Sequence, residues 1–249
     1  MNEFIQTSKS DGVASIRFNR PEKKNAITAA MYQALADAID HANGDPDIRC
    51  ILFLGHKGAF SAGNDIADFA QIAMSGGKRT SMAVFEFLQR IIISQKPMVA
   101  GVDGLAIGVG TTMLLHCDHV IASQNASFTT PFVDLGLVPE AGSSLFAPRL
   151  IGHHRAFSLL AMGEKFSPEL AREAGLVSAV VSSDDLETAA MDAARSIAAK
   201  PPEAMEITRQ LIRGDRSDIL SRMHEEAKLF GQRLQSEEAK KAFLAFMSR

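Results

Sequence analysis

"PMVAGVDGLAIGVGTTMLLHCDHVIAS" (residues 97–123) changes its period twice. Its ends, "PMVAGVDG" and "DHVIAS", are apolar runs of strand length. Its middle, "GVGTTMLLHC", reads as a short helix preceded by Gly104, Gly108 and Gly110. Strand, helix and strand in that order, all apolar, suit a parallel sheet covered on both faces. The same alternation extends upstream. "IRCILFLG" reads as a strand, and "FAQIAMSGGKRTSMAVFEFLQRIIIS" as a helix interrupted at Gly76-Gly77. "TAAMYQALADAIDHAN" carries Met31, Leu35, Ala38 and Ile39 at helical spacing behind Thr28, a natural N-cap. "EFIQTS", Asp11-Gly12 and "VASIRFN" form an opening hairpin. Beyond about residue 184 only Ala-, Glu- and Arg-rich helical segments remain. The chain therefore divides into an α/β core, 1–184, and a helical region, 185–249. The apolar stripes of that region (Leu220, Met223, Ala227, Phe230; Phe243, Leu244, Met247) must pack on the core or on another subunit.

The composition removes several classes of function. At 249 residues and 46% hydrophobic the chain can bury a large core. A net charge of -3, no Trp and a single Tyr argue against nucleic-acid binding and against adhesion to a membrane surface. Two cysteines, Cys50 and Cys117, make no disulfide framework and suit a reducing compartment. The first residues lack a basic segment followed by an apolar run, and no run reaches membrane-spanning length. A cytoplasmic protein is expected.

Two glycine loops could carry chemistry. "GAFSAGNDI" (58–66) and "GLAIGVGTT" (104–112) each precede a helical segment. Small residues there let the backbone approach a ligand, and unpaired N–H groups at a helix start attract negative charge. Asp65 is placed to cap the helix that follows it. Neither loop matches the phosphate-binding or dinucleotide patterns. Together they suggest two amides converging on one oxyanion. "HCDHV" (116–120) is a poor metal site, because neighbouring side chains diverge and no second ligand cluster follows; no metal is expected. His153 and His154 open a surface helix. Ser143 and Ser144 lack a nucleophile elbow. Glu140, in "LGLVPEAGSSL" (135–145), is a carboxylate among apolar residues. It is paired, exposed on a turn, or poised for proton transfer.

In order along the chain, "NRPEKKNAIT", "GAFSAGNDI", "GVDGLAIGVGTTMLLHCDHVIAS", "FTTPFVDLGLVPEAGSS" and "AREAGLVSAVV" resemble the crotonase superfamily, the enoyl-CoA hydratases and isomerases. The resemblance implies a spiral of ββα units with a C-terminal helical trimerisation region. It implies an acyl-CoA thioester substrate, no cofactor beyond the coenzyme A that the substrate carries, and a homotrimer or a dimer of trimers. The oxyanion donors would be the N–H groups of Ala62 and Val109. Lys24, Ala26, Gly63, Asn64, Asp65 and Ile66 would wall the coenzyme A. Gly108, Gly110, Thr112, Phe132 and Asp134 complete the substrate-facing set.

The sequence departs from the hydratase pattern at both of its glutamates, which fall on Thr112 and Phe132. Water addition needs a group to activate water and an acid for carbon. "VPEAGSS" is instead similar to the "PEG-x-SS" stretch of the peroxisomal-type Δ3,Δ2-enoyl-CoA isomerases, whose glutamate is the single base. The expectation is thus an isomerase using Glu140, with Thr112 merely filling space. The alternatives are a hydratase or other enolate-forming enzyme using Glu140 with Asp134, and a non-catalytic acyl-CoA-binding protein. Phe69, Met74, Val84, Phe85 and Leu88 are candidates for an acyl tunnel.

Overall fold

The computed structural model describes residues 2–66 and 78–247. The expected acyl-tunnel residues Phe69 and Met74, and the Gly76-Gly77 break, lie outside the described residues.

Chain order explains the two sheets. A hairpin of β1 (Ile5–Ser10) and β2 (Val13–Phe18) leads to helix α1 (Ala29–Gly44) and strands β3 (Cys50–Leu54) and β4 (Ala59–Ser61). Helix α2 (Lys78–Ile93) is followed by β5 (Met98–Val102), β6 (Leu105–Ile107) and the short helix α3 (Val109–Thr112), then by β7 (His119–Ser123) and β8 (Ser127–Thr129). Successive strand pairs feed different sheets. The larger sheet has the order β1-β2-β3-β5-β7, with β9 (Ala179–Val181) at its far edge, and the smaller has the order β4-β6-β8. Apart from the β1–β2 hairpin, every pairing between strands among the described residues is parallel. This is the expected ββα spiral.

Period-2 alternation sorts the larger sheet's side chains between two cores. Ile51 and Phe53 of β3, and Met98, Ala100 and Val102 of β5, join the main core. Cys50, Leu52 and Leu54 of β3, with Val99 of β5, join a second cluster on the opposite face. That face is covered by α7 (Leu186–Ala198), through Leu186, Ala190, Ala194 and Ala198. Both cysteines are free thiols. Thr28 caps α1 as expected, its side chain accepting from the Met31 N–H.

Between β8 and β9 run α4 (Ser143–Ile151), α5 (His153–Leu160) and α6 (Pro168–Ala174); after α7 come α8 (Pro202–Arg213), α9 (Ser217–Leu234) and α10 (Glu237–Met247). The stripe of the last two helices does pack on the main core. Ile219, Met223, Leu234, Ala239 and Phe243 are buried there, with Leu220 and Phe230 against it. Ala227 and Leu244, also expected in the stripe, are left exposed. Two strands of the smaller sheet, β4 and β6, lie inside segments that periodicity alone presents as glycine loops, and β8 lies in a stretch with no strand signal. Three residues are too few to display a period.

Candidate active site

The site forms where the loops after β4 and β6 leave the smaller sheet, at the C-terminal ends of parallel strands, where such sheets place ligands. The two loops press backbone on backbone. A Cβ on Gly110 would sit 2.9 Å from the Ser61 carbonyl oxygen, and one on Gly63 2.7 Å from that of Ile107. Only glycine permits this approach, and it sets Ala62 beside Val109.

The two expected oxyanion donors differ in state. Val109 is the first residue of α3, is fully buried, and its N–H meets no acceptor among the described residues. The Ala62 N–H instead donates to the Lys24 carbonyl at 2.9 Å. Lys24 reaches it because Lys24 and Asn25 both hold positive φ, 51° and 57°. Asn25 pins that turn: its side chain accepts from Arg20 N–H and donates to the carbonyls of Ala59 and Phe60. Ala62 is therefore an engaged donor, not the free one that the sequence suggested.

The remaining wall residues serve the loop as much as any ligand. Asp65 accepts from Arg20 Nη1 at 2.6 Å, while its N–H donates to the Ile27 carbonyl. Ala26 gives its N–H to Lys23 and its carbonyl to Arg20. Ile66 is half-buried against the core. Lys24 leaves its side chain at the surface, outside any ion pair among the described residues. The Asn64 side chain accepts from the hydroxyl of Tyr32. Tyr32, fully buried against Phe87, has its pKa held well above the usual phenol value by desolvation and then by the charge of Glu140. Tyr32 thus belongs to the site, although its sequence context shows only a helix face.

Glu140 is buried, 7% exposed. Burial pushes its pKa up to about 8, a hydrogen bond from Thr112 opposes that, and the nearby charge of Glu226 adds to it. Thr112 does more than fill space: its hydroxyl donates to Glu140 Oε1. Phe132 and Leu137 are buried core residues. Asp134 is exposed on a 3-10 turn with its carboxylate facing Gly163, and it bonds to neither Glu140 nor Thr112 among the described residues.

The turn bearing Glu140 is held by two side chains, His116 and Glu226. Ala141 has φ +63° and Gly142 φ +68°. His116 Nε2 bonds to the Ala141 carbonyl at 2.8 Å. Desolvation first, then the positive field of Arg216, pushes the His116 pKa down to about 3; the neutral ring donates from Nε2. Glu226 on α9 accepts from the N–H groups of Gly142 (2.6 Å) and Ser144 (2.9 Å). His116 and Asp118 of "HCDHV" are used structurally, Asp118 accepting from Met98 N–H and Arg209. His153 and His154 are exposed on α5.

Residues 8–249 match the protein family described as enoyl-CoA hydratase/isomerase. The chain belongs to that family. It is 36% identical to enoyl-CoA delta isomerase 2 of Rattus norvegicus over 98% of its own length and 63% of the rat protein's. The chain thus spans somewhat less than two thirds of that relative. It is 32% identical to 1,2-epoxyphenylacetyl-CoA isomerase of Escherichia coli (strain K12), covering 98% of this chain and 97% of that one. The crystal structure of an enoyl-CoA hydratase/isomerase from Pseudoalteromonas atlantica T6c superposes with a TM-score of 0.92 at 38% identity, over 98% and 97% of the two chains. The family's fold is the crotonase spiral, as the motifs implied. Among the described residues no helix is long and apolar enough to cross a membrane.

Proposed function

We propose that the protein shifts a double bond in an unsaturated acyl-CoA from the 3- to the 2-position, with Glu140 as the only proton carrier. The observation that carries this reading is the buried carboxylate of Glu140, bonded by a threonine at the position where a hydratase places a second acid. Similarity to two isomerases supports it. A thioester carbonyl seated on the free Val109 N–H would share the Ala62 N–H with Lys24 in a three-centre bond. Glu140 removes a proton from C2, and the electrons pass to the carbonyl oxygen to give a dienolate. The same carboxyl returns the proton at C4, leaving the double bond between C2 and C3. The amides lower the cost of the enolate charge, which a carboxylate could not otherwise generate. A base whose pKa lies near 8 is a closer match to an α-proton than an ordinary carboxylate.

The test is direct. Given a 3-enoyl-CoA, the protein should produce conjugated thioester absorbance; given a 2-enoyl-CoA, it should consume none. Loss of absorbance with the 2-enoyl-CoA would mean hydration, and binding without turnover would mean a carrier protein. Glu140→Gln should lower kcat by about a thousandfold or more while a saturated acyl-CoA still binds. Because the base acts deprotonated, kcat/KM should rise with pH and level off above about 8. We also propose a trimeric assembly through the helical region. The strongly exposed Ile207, Leu211 and Ile212 of α8 support it, and sedimentation of the purified protein would check it.

A further inference from the structure

We propose that Glu226, on the C-terminal helix α9, is a positioning residue for Glu140, holding the turn from which the base projects. The inference rests on Glu140 being the base. No motif of the sequence singles out Glu226, and it lies far along the chain, in the region set aside for assembly.

The geometry is specific. Glu226 is 4% exposed and aims at the start of α4. Its two oxygens take different amides, Oε2 that of Gly142 and Oε1 that of Ser144. These amides flank the point where the chain leaves Glu140, and both belong to the first turn of a helix, where no backbone acceptor is available. Neither bond could be made unless α9 lay flat on the turn, and Gly142 shows that it does. A Cβ there would stand 2.6 Å from Ile219 Cγ2. The turn needs such a clamp. Ala141 occupies a left-handed conformation that costs about 1–2 kcal/mol for a residue with a Cβ. Released, it would relax toward ordinary backbone angles and swing the carboxyl away from Thr112.

The charges around the clamp are few. Burial raises the Glu226 pKa above the usual glutamate value, opposed by the bonds from Ser144 and Gly142 and then by the charge of Arg222, which lies one turn back on α9 and bonds to the Ser144 hydroxyl. His116, beneath the Ala141 carbonyl, is neutral, and Arg216 lies beyond it. Tyr32 faces Glu140 from α1 with its proton retained. Ionised Glu226 is the like charge that opposes loss of the proton from Glu140.

Two variants separate a positioning role from general support of the fold. In Glu226→Gln the amide offers one acceptor where the carboxylate offers two, and the charge is gone. Its acid limb in kcat/KM should move to lower pH by about 0.5 unit, because a like charge no longer opposes ionisation of Glu140. Its plateau kcat should fall about tenfold through misplacement of the base. Affinity for a saturated acyl-CoA such as hexanoyl-CoA should stay within about twofold. Glu226→Asp keeps the charge on a shorter arm, so its limb should stay at the wild-type pH while its plateau falls. If Glu226→Gln does not fold, Glu226→Asp carries the test, and an undiminished plateau overturns the proposal. An unmoved limb and plateau in folded Glu226→Gln would also overturn it. Glu140→Gln run alongside tells the two levels apart. If it is inactive while the Glu226 variants behave as wild type, only the clamp is wrong. If it is active, the base and the clamp both fall.

Discussion

Two helix starts meet at this site and are used in opposite ways. α3 begins after Gly108 at φ +56°, and α4 after Gly142 at φ +68°. Both are buried, and both bring first-turn amides to the same small volume. At α4 the protein supplies the acceptor: Glu226 takes the Gly142 and Ser144 N–H groups. At α3 it supplies none, and the Val109 N–H is a buried donor without a partner among the described residues. Helix polarity does not explain the difference, since four residues make a negligible dipole. What differs is whether the chain brings its own anion. Where it does, the amides build scaffold; where it does not, they stay open, and the proposed mechanism assigns them to the substrate's developing charge.

The contrast breaks most visibly if the free amide is removed. Val109→Pro deletes the N–H while keeping a residue suited to the first position of a helix. We expect kcat to fall about 10²–10³-fold, the usual effect of losing one oxyanion donor. Binding of a saturated acyl-CoA should change far less. Turnover within tenfold of wild type would show that the Val109 amide stabilises no charge, and would leave the shared Ala62 donor to carry the role.

A smaller effect sharpens the comparison by changing sign. Thr112, from the α3 side, donates to Glu140 and favours its ionised form; Glu226, from the α4 side, opposes ionisation. Thr112→Val keeps the side-chain shape and removes the hydroxyl. The Glu140 pKa should then rise further above 8, so the acid limb moves up, by about 0.5 pH unit. Activity at pH 7 should drop severalfold and recover as the pH is raised. A limb that stays still, or moves down with that of Glu226→Gln, would mean that Thr112 is not the donor.

How far these roles could be read from sequence depends on the kind of contact. The larger sheet was legible because Cys50–Leu54 and Met98–Val102 are unbroken apolar strands between amphipathic helices. Glu140, the proposed base, stands out through "VPEAGSS", a local motif. β4, β6 and β8 were not, being too short to show a period. Thr112 was misjudged because a hydroxyl's partner lies elsewhere in the chain. Glu226 was invisible for the same reason: on a helix rich in charge, nothing marks the one carboxylate that points inward. Ala62 shows a further limit. Its motif identifies the loop, but the Lys24 carbonyl takes the amide only through the positive-φ turn at Lys24 and Asn25, which the motif does not display.

The mildest test lies inside the clamped turn. The family stretch has glycine where this chain has Ala141, at φ +63°. Ala141→Gly should relieve about 1–2 kcal/mol of left-handed strain. Against that stand a lost buried methyl, about 0.8 kcal/mol, and the greater freedom of glycine in the unfolded chain, roughly 0.4–1 kcal/mol. The terms nearly cancel, so unfolding stability should change by less than about 1 kcal/mol, or about 2–4 °C in Tm for a chain of this length. If His116 and Glu226 hold the turn from outside, as their bonds to Ala141 and Gly142 indicate, kcat should also stay within about twofold. A marked loss of kcat at unchanged Tm would mean that the alanine methyl itself shapes the turn, and the clamp would then share its role with the one residue that ought to resist it.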